Sequence, residues 1–266
     1  MSDKRPIDNL GDFISAVAGA AMTKAFTNLD KFDVDLKKVG SNFGNFGESM
    51  RAACETGVAL HELDLTEANI RNVAVLGPDD VVITRGDRAA IVVEGDEEAA
   101  DAIRFQLEDT KLSVMRLGGR RQNGSATVRI TLPRLRKIAV AGSASVQCDT
   151  ITGKKARISI GGSGSVHCDE IEVEQLKIRI MGSGSVTAKG RVGTLSLKMA
   201  GSGNVAMAGV SVDTANVSMA GSGNASFASD GDVSGSMAGS GNVTVKGRAR
   251  CAVRGVGSGR LVCEPA

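Results

Sequence analysis

The chain has 266 residues and sets 32 Lys+Arg against 30 Asp+Glu, so its formal charge of +2 selects no polyelectrolyte partner by itself. Its 34 Gly and only 4 Pro exclude collagen, and 42% hydrophobic residues exclude disorder throughout. No stretch approaches the roughly 18 uninterrupted apolar residues of a spanning helix, so no transmembrane segment is expected.

Residues 1–57 read as an amphipathic helical segment. Ile7, Leu10, Phe13, Ile14, Val17, Ala21, Phe26 and Leu29 keep three-and-four spacing, and five of the seven Phe fall here. Lys4 and Arg5 precede an apolar stretch as in a signal peptide, but Asp3, Asp8 and Asp12 interrupt the lead-in. No cleaved signal is therefore expected, and the cytoplasm is the favoured location. The segment is expected to cap the end of the fold that follows; self-association and a membrane surface are the other uses its stripe allows.

Residues 58–135 read as a less regular β lead-in. Strands are expected at Leu63-Leu65, Ile70-Leu76, Val81-Thr84, Ala90-Glu94, Lys111-Leu117 and Thr127-Leu132, with a short helix over Glu97-Leu107. Gly118 to Gly124 is a loop.

Residues 136–266 are repetitive. A glycine-serine box starts at Gly142, Gly162, Gly182, Gly201, Gly221, Gly239 and Gly257, with spacings of 18 to 20 residues. Four residues after each first Gly stand Val146, Val166, Val186, Val205, Ala225, Val243 and Leu261, and two further on Cys148, Cys168, Ala188, Met207, Phe227, Val245 and Cys263. Before the Gly, apolar residues recur at the fourth and second positions back, from Ile138 and Val140 onward. Alternation with polar neighbours is the two-residue period of a strand with one buried face, and it excludes helix. A unit this short cannot fold alone, so each copy buries its apolar side against the next. The simplest stack is a parallel β-helix of 19-20-residue rungs, strand, box, strand, turn. The invariant Gly implies a corner with positive φ or close backbone approach. Ser163, Ser183, Ser202, Ser222 and Ser240 form one expected ladder, and Asn204, Asn224 and Asn242 another, whose amides can bond along the axis.

These boxes, preceded by Val81-Val82-Ile83-Thr84-Arg85-Gly86-Asp87, Leu112-Ser113-Val114 and Leu132-Pro133-Arg134-Leu135-Arg136-Lys137-Ile138, resemble the bacterial "putative auto-transporter adhesin, head GIN domain" family over about residues 60–266. The resemblance implies a right-handed parallel β-helix, commonly exported, adhesin-like in name and without an established catalytic activity. Export to the cell surface is thus the alternative to the cytoplasm.

Chemistry-bearing residues are sparse. Five Cys, with no close CxxC pair, argue against a disulfide framework or a zinc knuckle. Cys148 and Cys168 are expected to be neighbouring buried thiols that fill the core. His61 and His167 belong to unrelated segments and complete no catalytic set. Asp169, Glu170, Glu172 and Glu174 cluster at a turn and read as solvated. No cofactor or metal is implied.

Residues 134–266 hold sixteen Lys+Arg and nine acids, a net of +7. Lys137, Arg157 and Lys177 share one outward column, with Arg179 and Lys198 two positions along, so a stack would align like charges about every 5 Å. The bland reading is a solvated face that discourages edge pairing; the functional one is an anion-binding ladder. Without aromatics for base stacking, specific nucleic-acid binding is not expected. The sequence is best read as a non-enzymatic scaffold or interaction module for an unknown protein or anionic polymer. A self-assembling cytoplasmic structural protein and a binder of membrane surfaces are the alternatives.

Overall fold

The computed structural model of the chain describes residues 57–116 and 124–264. The expected N-terminal helix and most of the Gly118 to Gly124 loop lie outside the described residues. The elements are β1 (Asn72–Gly77), β2 (Asp80–Arg85), β3 (Ala90–Gly95), α1 (Glu97–Asp101), β4 (Ile103–Glu108), β5 (Lys111–Arg116), β6 (Ala126–Leu132) and β7 (Lys137–Gly142). Long bent strands follow: β8 (Ser145–Gly162), β9 (Ser165–Gly182), β10 (Ser185–Gly201), β11 (Asn204–Gly221) and β12 (Asn224–Gly239). The described chain ends with β13 (Asn242–Lys246), β14 (Arg250–Val256) and β15 (Arg260–Glu264).

Together they form a parallel β-solenoid of about 6 turns. Each glycine-serine box lies on the one before, with Gly142 against Gly162, Gly182 against Gly162, and Gly201 against Gly182. The first Gly of every box has φ between 108° and 123°, a region that L side chains rarely adopt. A Cβ there would stand only 2.2 to 2.9 Å from the carbonyl oxygen of the Gly one rung earlier. Both reasons expected for the invariant Gly therefore apply at once. The box closes with backbone bonds along the axis, as in Ser163 N–H to Gly142 O at 2.9 Å.

Between boxes each rung turns at two further corners, one more than the strand-and-turn reading supplied. In β9 the alternation of buried and exposed residues slips twice, at Asp169-Glu170 and at Glu174-Gln175. These slips split the rung into three flat faces, whose inward residues are Val166 and Cys168, then Ile171 and Val173, then Leu176, Ile178 and Ile180. The apolar columns expected from the boxes lie in register except where the ladder shifts beside Ala188; Val146, Val166, Val186, Val205, Ala225, Val243 and Leu261 are successive partners. Except for the half-buried Leu261 these residues are buried, and the columns merge into one continuous core.

The stack does not begin at Gly142. Gly77 pairs with Gly142, Val73 with Ile138, and Val81 with Val146, so β1 and β2 form a rung beneath β7 and β8. Residues 86–135 return to build one rung more, β5 lying parallel on β1 and β6 on β2. Antiparallel β4 then covers β5, and antiparallel β3 covers β6. Two local expectations fail here. The helix stops at Asp101, because buried Ile103 and Phe105 alternate with Arg104 and Gln106 and pair with β5. Asp109, at φ 50°, turns that hairpin. Leu63-Leu65 is not a strand; its half-buried leucines pack on the core without a ladder partner, after a short 3-10 turn at Leu60–Glu62.

At the other end the rungs shrink. β13 has only five residues, the second face is lost after β12, and β14 and β15 stack directly on β12 and β13. A disulfide joins Cys251 to Cys263, with Cα atoms 6.8 Å apart. This corrects the reading of the cysteines as unbridged. Cys251 continues the column of Val233 and Cys263 that of Val245, so the bond joins two columns at the last described rung.

Candidate anion-binding face

The third face of the solenoid, between the last corner and the box, carries the basic residues singled out above. Lys137 pairs with Arg157 and Arg157 with Lys177, one column running along the axis. Arg179 pairs with Lys198 in the column two residues along the strands. Beneath Lys137 the first column continues through Asn72 to Lys111, a cation that box spacing could not reveal because β5 precedes the repeats in sequence. Ser196 follows Lys177 in the first column, and Ser159 precedes Arg179 in the second. The strand ladder fixes each Cα, so successive rungs set these side chains about 4.8 Å apart.

Several cations elsewhere on the surface have a carboxylate beside them. Arg191 bonds Asp213, Arg250 bonds Asp232 at 2.8 Å, Arg129 bonds Glu94, and Arg248 lies 3.8 Å from Asp230. Among the described residues, no carboxylate is paired with Lys137, Arg157, Lys177, Arg179 or Lys198. Lys111 alone of the group reaches one, Glu108 at 3.0 Å. Burial of its stem holds the Lys137 ammonium below the ordinary lysine value, and Arg157, Lys111 and Arg179 lower it further. Arg179 is held low by burial first and by Arg157 second. Among the described residues the face is a concentration of positive charge in which only Lys111 has an ion-paired carboxylate.

The other candidate residues are placed as follows. Ser163, Ser183, Ser202, Ser222 and Ser240 form an exposed column at the box corner, joined by Ser258, whose hydroxyl donates to Ser240 Oγ at 3.0 Å. Asn204, Asn224 and Asn242 are aligned, and Asn242 Nδ2 donates to Asn224 Oδ1 at 3.5 Å. Their backbone amides carry the ladder, for example Asn204 N–H to Gly184 O at 3.0 Å. Cys148 and Cys168 are buried cross-strand neighbours with free thiols. The contact with Cys148, then burial, pushes the Cys168 thiol well above its ordinary value, so it stays protonated and unreactive. His167 lies on the outer surface 3.1 Å from Asp169, opposite in direction to Cys168. Asp169, Glu170, Glu172 and Glu174 spread over two corners and the second face rather than converging. Among the described residues, no group of three His, Cys, Asp or Glu is placed to hold a metal ion.

Fold and surface together define a β-solenoid with flat, aromatic-free polar faces, one of them strongly basic. The chain belongs to the family described as "Putative auto-transporter adhesin, head GIN domain", whose model matches residues 69–249. Three solved structures share the fold. A "putative adhesin" from Bacteroides fragilis superposes with TM-score 0.64 at 18% identity, covering 75% of this chain and 95% of its own. A "putative lipid binding protein" from Parabacteroides distasonis gives 0.60 at 18% identity, covering 77% and 94%. A "putative adhesin" from Parabacteroides merdae gives 0.56 at 17% identity, covering 74% and 92%. No curated protein matches the chain.

Proposed function

We propose that this protein is an exported, non-catalytic binding module, adhesin-like in that a rigid solenoid presents flat outer faces to a partner outside the cytoplasm. The observation that carries this reading is the regular exterior: each face offers side chains on a fixed ladder rather than converging groups around a cleft, which suits recognition of an extended partner. The family's description as an auto-transporter adhesin supports export. So does the Cys251–Cys263 disulfide, since such bonds persist in oxidising compartments and are rare in the cytosol. The cytoplasmic location expected from the N-terminal sequence draws no support from the comparisons. Fractionation of cells expressing the tagged full chain, with maleimide labelling of Cys251 and Cys263, tests the proposal. It expects the chain outside the cytoplasm with both thiols blocked by oxidation; a cytoplasmic chain that labels at both cysteines overturns it.

A further inference from the structure

We propose that the third face of the solenoid, at Lys111, Lys137, Arg157, Lys177, Arg179 and Lys198, binds a linear acidic polysaccharide, its carboxylate or sulfate groups lying along the columns. The proposal names the ligand class of the binding module inferred above and rests on that reading.

Three observations select this occupant. The first is shape. From Lys111 to Lys198 the face crosses five rung steps, about 24 Å, yet it is only two columns, about 7 Å, wide. A stripe of that form fits one extended polymer chain rather than a broad membrane or protein surface. The second is charge. Arg191, Arg248 and Arg250 lie against aspartates one rung away, whereas the five cations from Lys137 onward stack in two adjoining columns with no ion-paired carboxylate among the described residues. Cations held side by side without counter-charge raise the energy of the free protein, and an anionic ligand recovers that cost on binding. The third is the absence of rings. The described residues include only two phenylalanines, Phe105 and Phe227, both buried, so no described phenylalanine offers this face a ring for sugar or base stacking. Recognition then rests on charge, with the hydroxyls of Ser159 and Ser196 beside the cations available to sugar hydroxyls. That chemistry prefers acidic over neutral glycans. The cations project from continuous ladders, so little backbone ordering opposes binding.

The test uses the full chain and measures equilibrium binding to polygalacturonate and to heparin. Neutral dextran, vesicles of phosphatidylcholine with phosphatidylglycerol, and duplex DNA complete the series. Binding to at least one acidic polysaccharide is expected, weakening as salt rises, with dextran silent and vesicles and DNA weaker. The triple variant Arg157→Gln, Lys177→Gln, Arg179→Gln is expected to lose about tenfold or more in affinity. An equal charge change on the paired side, Arg191→Gln, Arg248→Gln, Arg250→Gln, is expected to lose less than about twofold. Circular dichroism spectra matching the parent's establish that both variants fold. No binding to either polysaccharide, equal loss in the two variants, or vesicles or DNA bound as tightly as the polysaccharide each overturn the proposal. These outcomes leave the location and oxidation state of the chain untouched, so the face can fail while the exported module stands.

Discussion

The two ends of the described solenoid handle the same hazard, an exposed strand edge, by different means. At the N-terminal end the chain doubles back: β3 and β4 run antiparallel over the outermost rung, and α1 buries Ala99 beside them. A buried ion pair locks that rung, Arg116 holding both carboxylate oxygens of Asp79 and donating to Gly124 O at 3.1 Å. Asp79 stands where later boxes place Gly or Ala, two residues after the first Gly, and Arg116 follows Met115, the partner of Leu76. A polar clasp thus replaces the small-residue box where the chain leaves the repeat. At the C-terminal end, strands β14 and β15 keep exposed apolar residues such as Val256 and Val262, and among the described residues a covalent bond rather than a covering layer holds them. The halves also differ in charge: among the described residues Lys137, Arg157, Lys177, Arg179 and Lys198 on the third face have no ion-paired carboxylate, while Arg191, Arg248 and Arg250 face aspartates. One end is secured by topology, the other by chemistry.

That contrast can be broken in order of expected effect. A charge in the shared core ignores the difference between ends: Val205→Asp puts an unpaired carboxyl in a buried column and is expected to cost about 4–5 kcal/mol, read as global unfolding by urea. A stable, cooperative variant would show that the column is misassigned. Next comes the N-terminal clasp. Asp79→Ala leaves Arg116 buried without its partner and is expected to cost about 3–5 kcal/mol, whereas Asp79→Leu with Arg116→Met removes both charges and costs much less. Equal losses in the two would mean that packing, not the uncompensated charge, sets the cost. Third is the covalent clasp. Cys251→Ser opens a loop with a sequence separation of 12 and is expected to lose about 3 kcal/mol of local stability. Hydrogen exchange should accelerate in β14 and β15 and stay unchanged in β1 and β5; acceleration at both ends would mean that the ends are not independent.

How far the sequence foretold this structure depends on locality. Seven boxes at near-constant spacing fixed the columns from Ile138 onward, because a regular stack converts spacing directly into contact. The basic column was legible for the same reason, from Lys137 to Lys177. The rung made by β1 and β2 was not: Gly77-Pro78-Asp79-Asp80 has only the Gly in common with the boxes, and residues 86–135 separate it from β7, its partner in space. The third corner was hidden because a one-residue slip in alternation, as at Glu174-Gln175, leaves no turn residue behind. The Cys251–Cys263 bond had a signal that was passed over. Both cysteines continue apolar columns of the repeat, Cys251 after Val233 and Cys263 after Val245, and both fall in its final copy.

The smallest effect sharpens the charge contrast. Burial, then Arg157, Lys111 and Arg179, hold Lys137 below the ordinary lysine value, so its charged form is disfavoured in the folded chain. Between the lowered and the ordinary value, the unfolded chain keeps a proton that the folded one has released, and stability rises with pH through that window. Below it both states are charged and the folded chain bears the full repulsion. Lys137→Met keeps the packed stem and removes the charge, and is expected to stabilise by about 0.5 kcal/mol at neutral pH. The gain should shrink in alkaline buffer. Cys168 acts with the opposite sign, since a thiol held above its ordinary value loses stability as pH rises, but that contribution is the same in parent and variant and cancels in their difference. The matching change at the other end, Arg250→Met, deletes a cation that has Asp232 beside it and is expected to lose rather than gain a few tenths of a kcal/mol. Urea titrations of both variants at neutral and alkaline pH decide the matter: two changes of the same sign would mean that the unpaired cations carry no strain for a ligand to relieve.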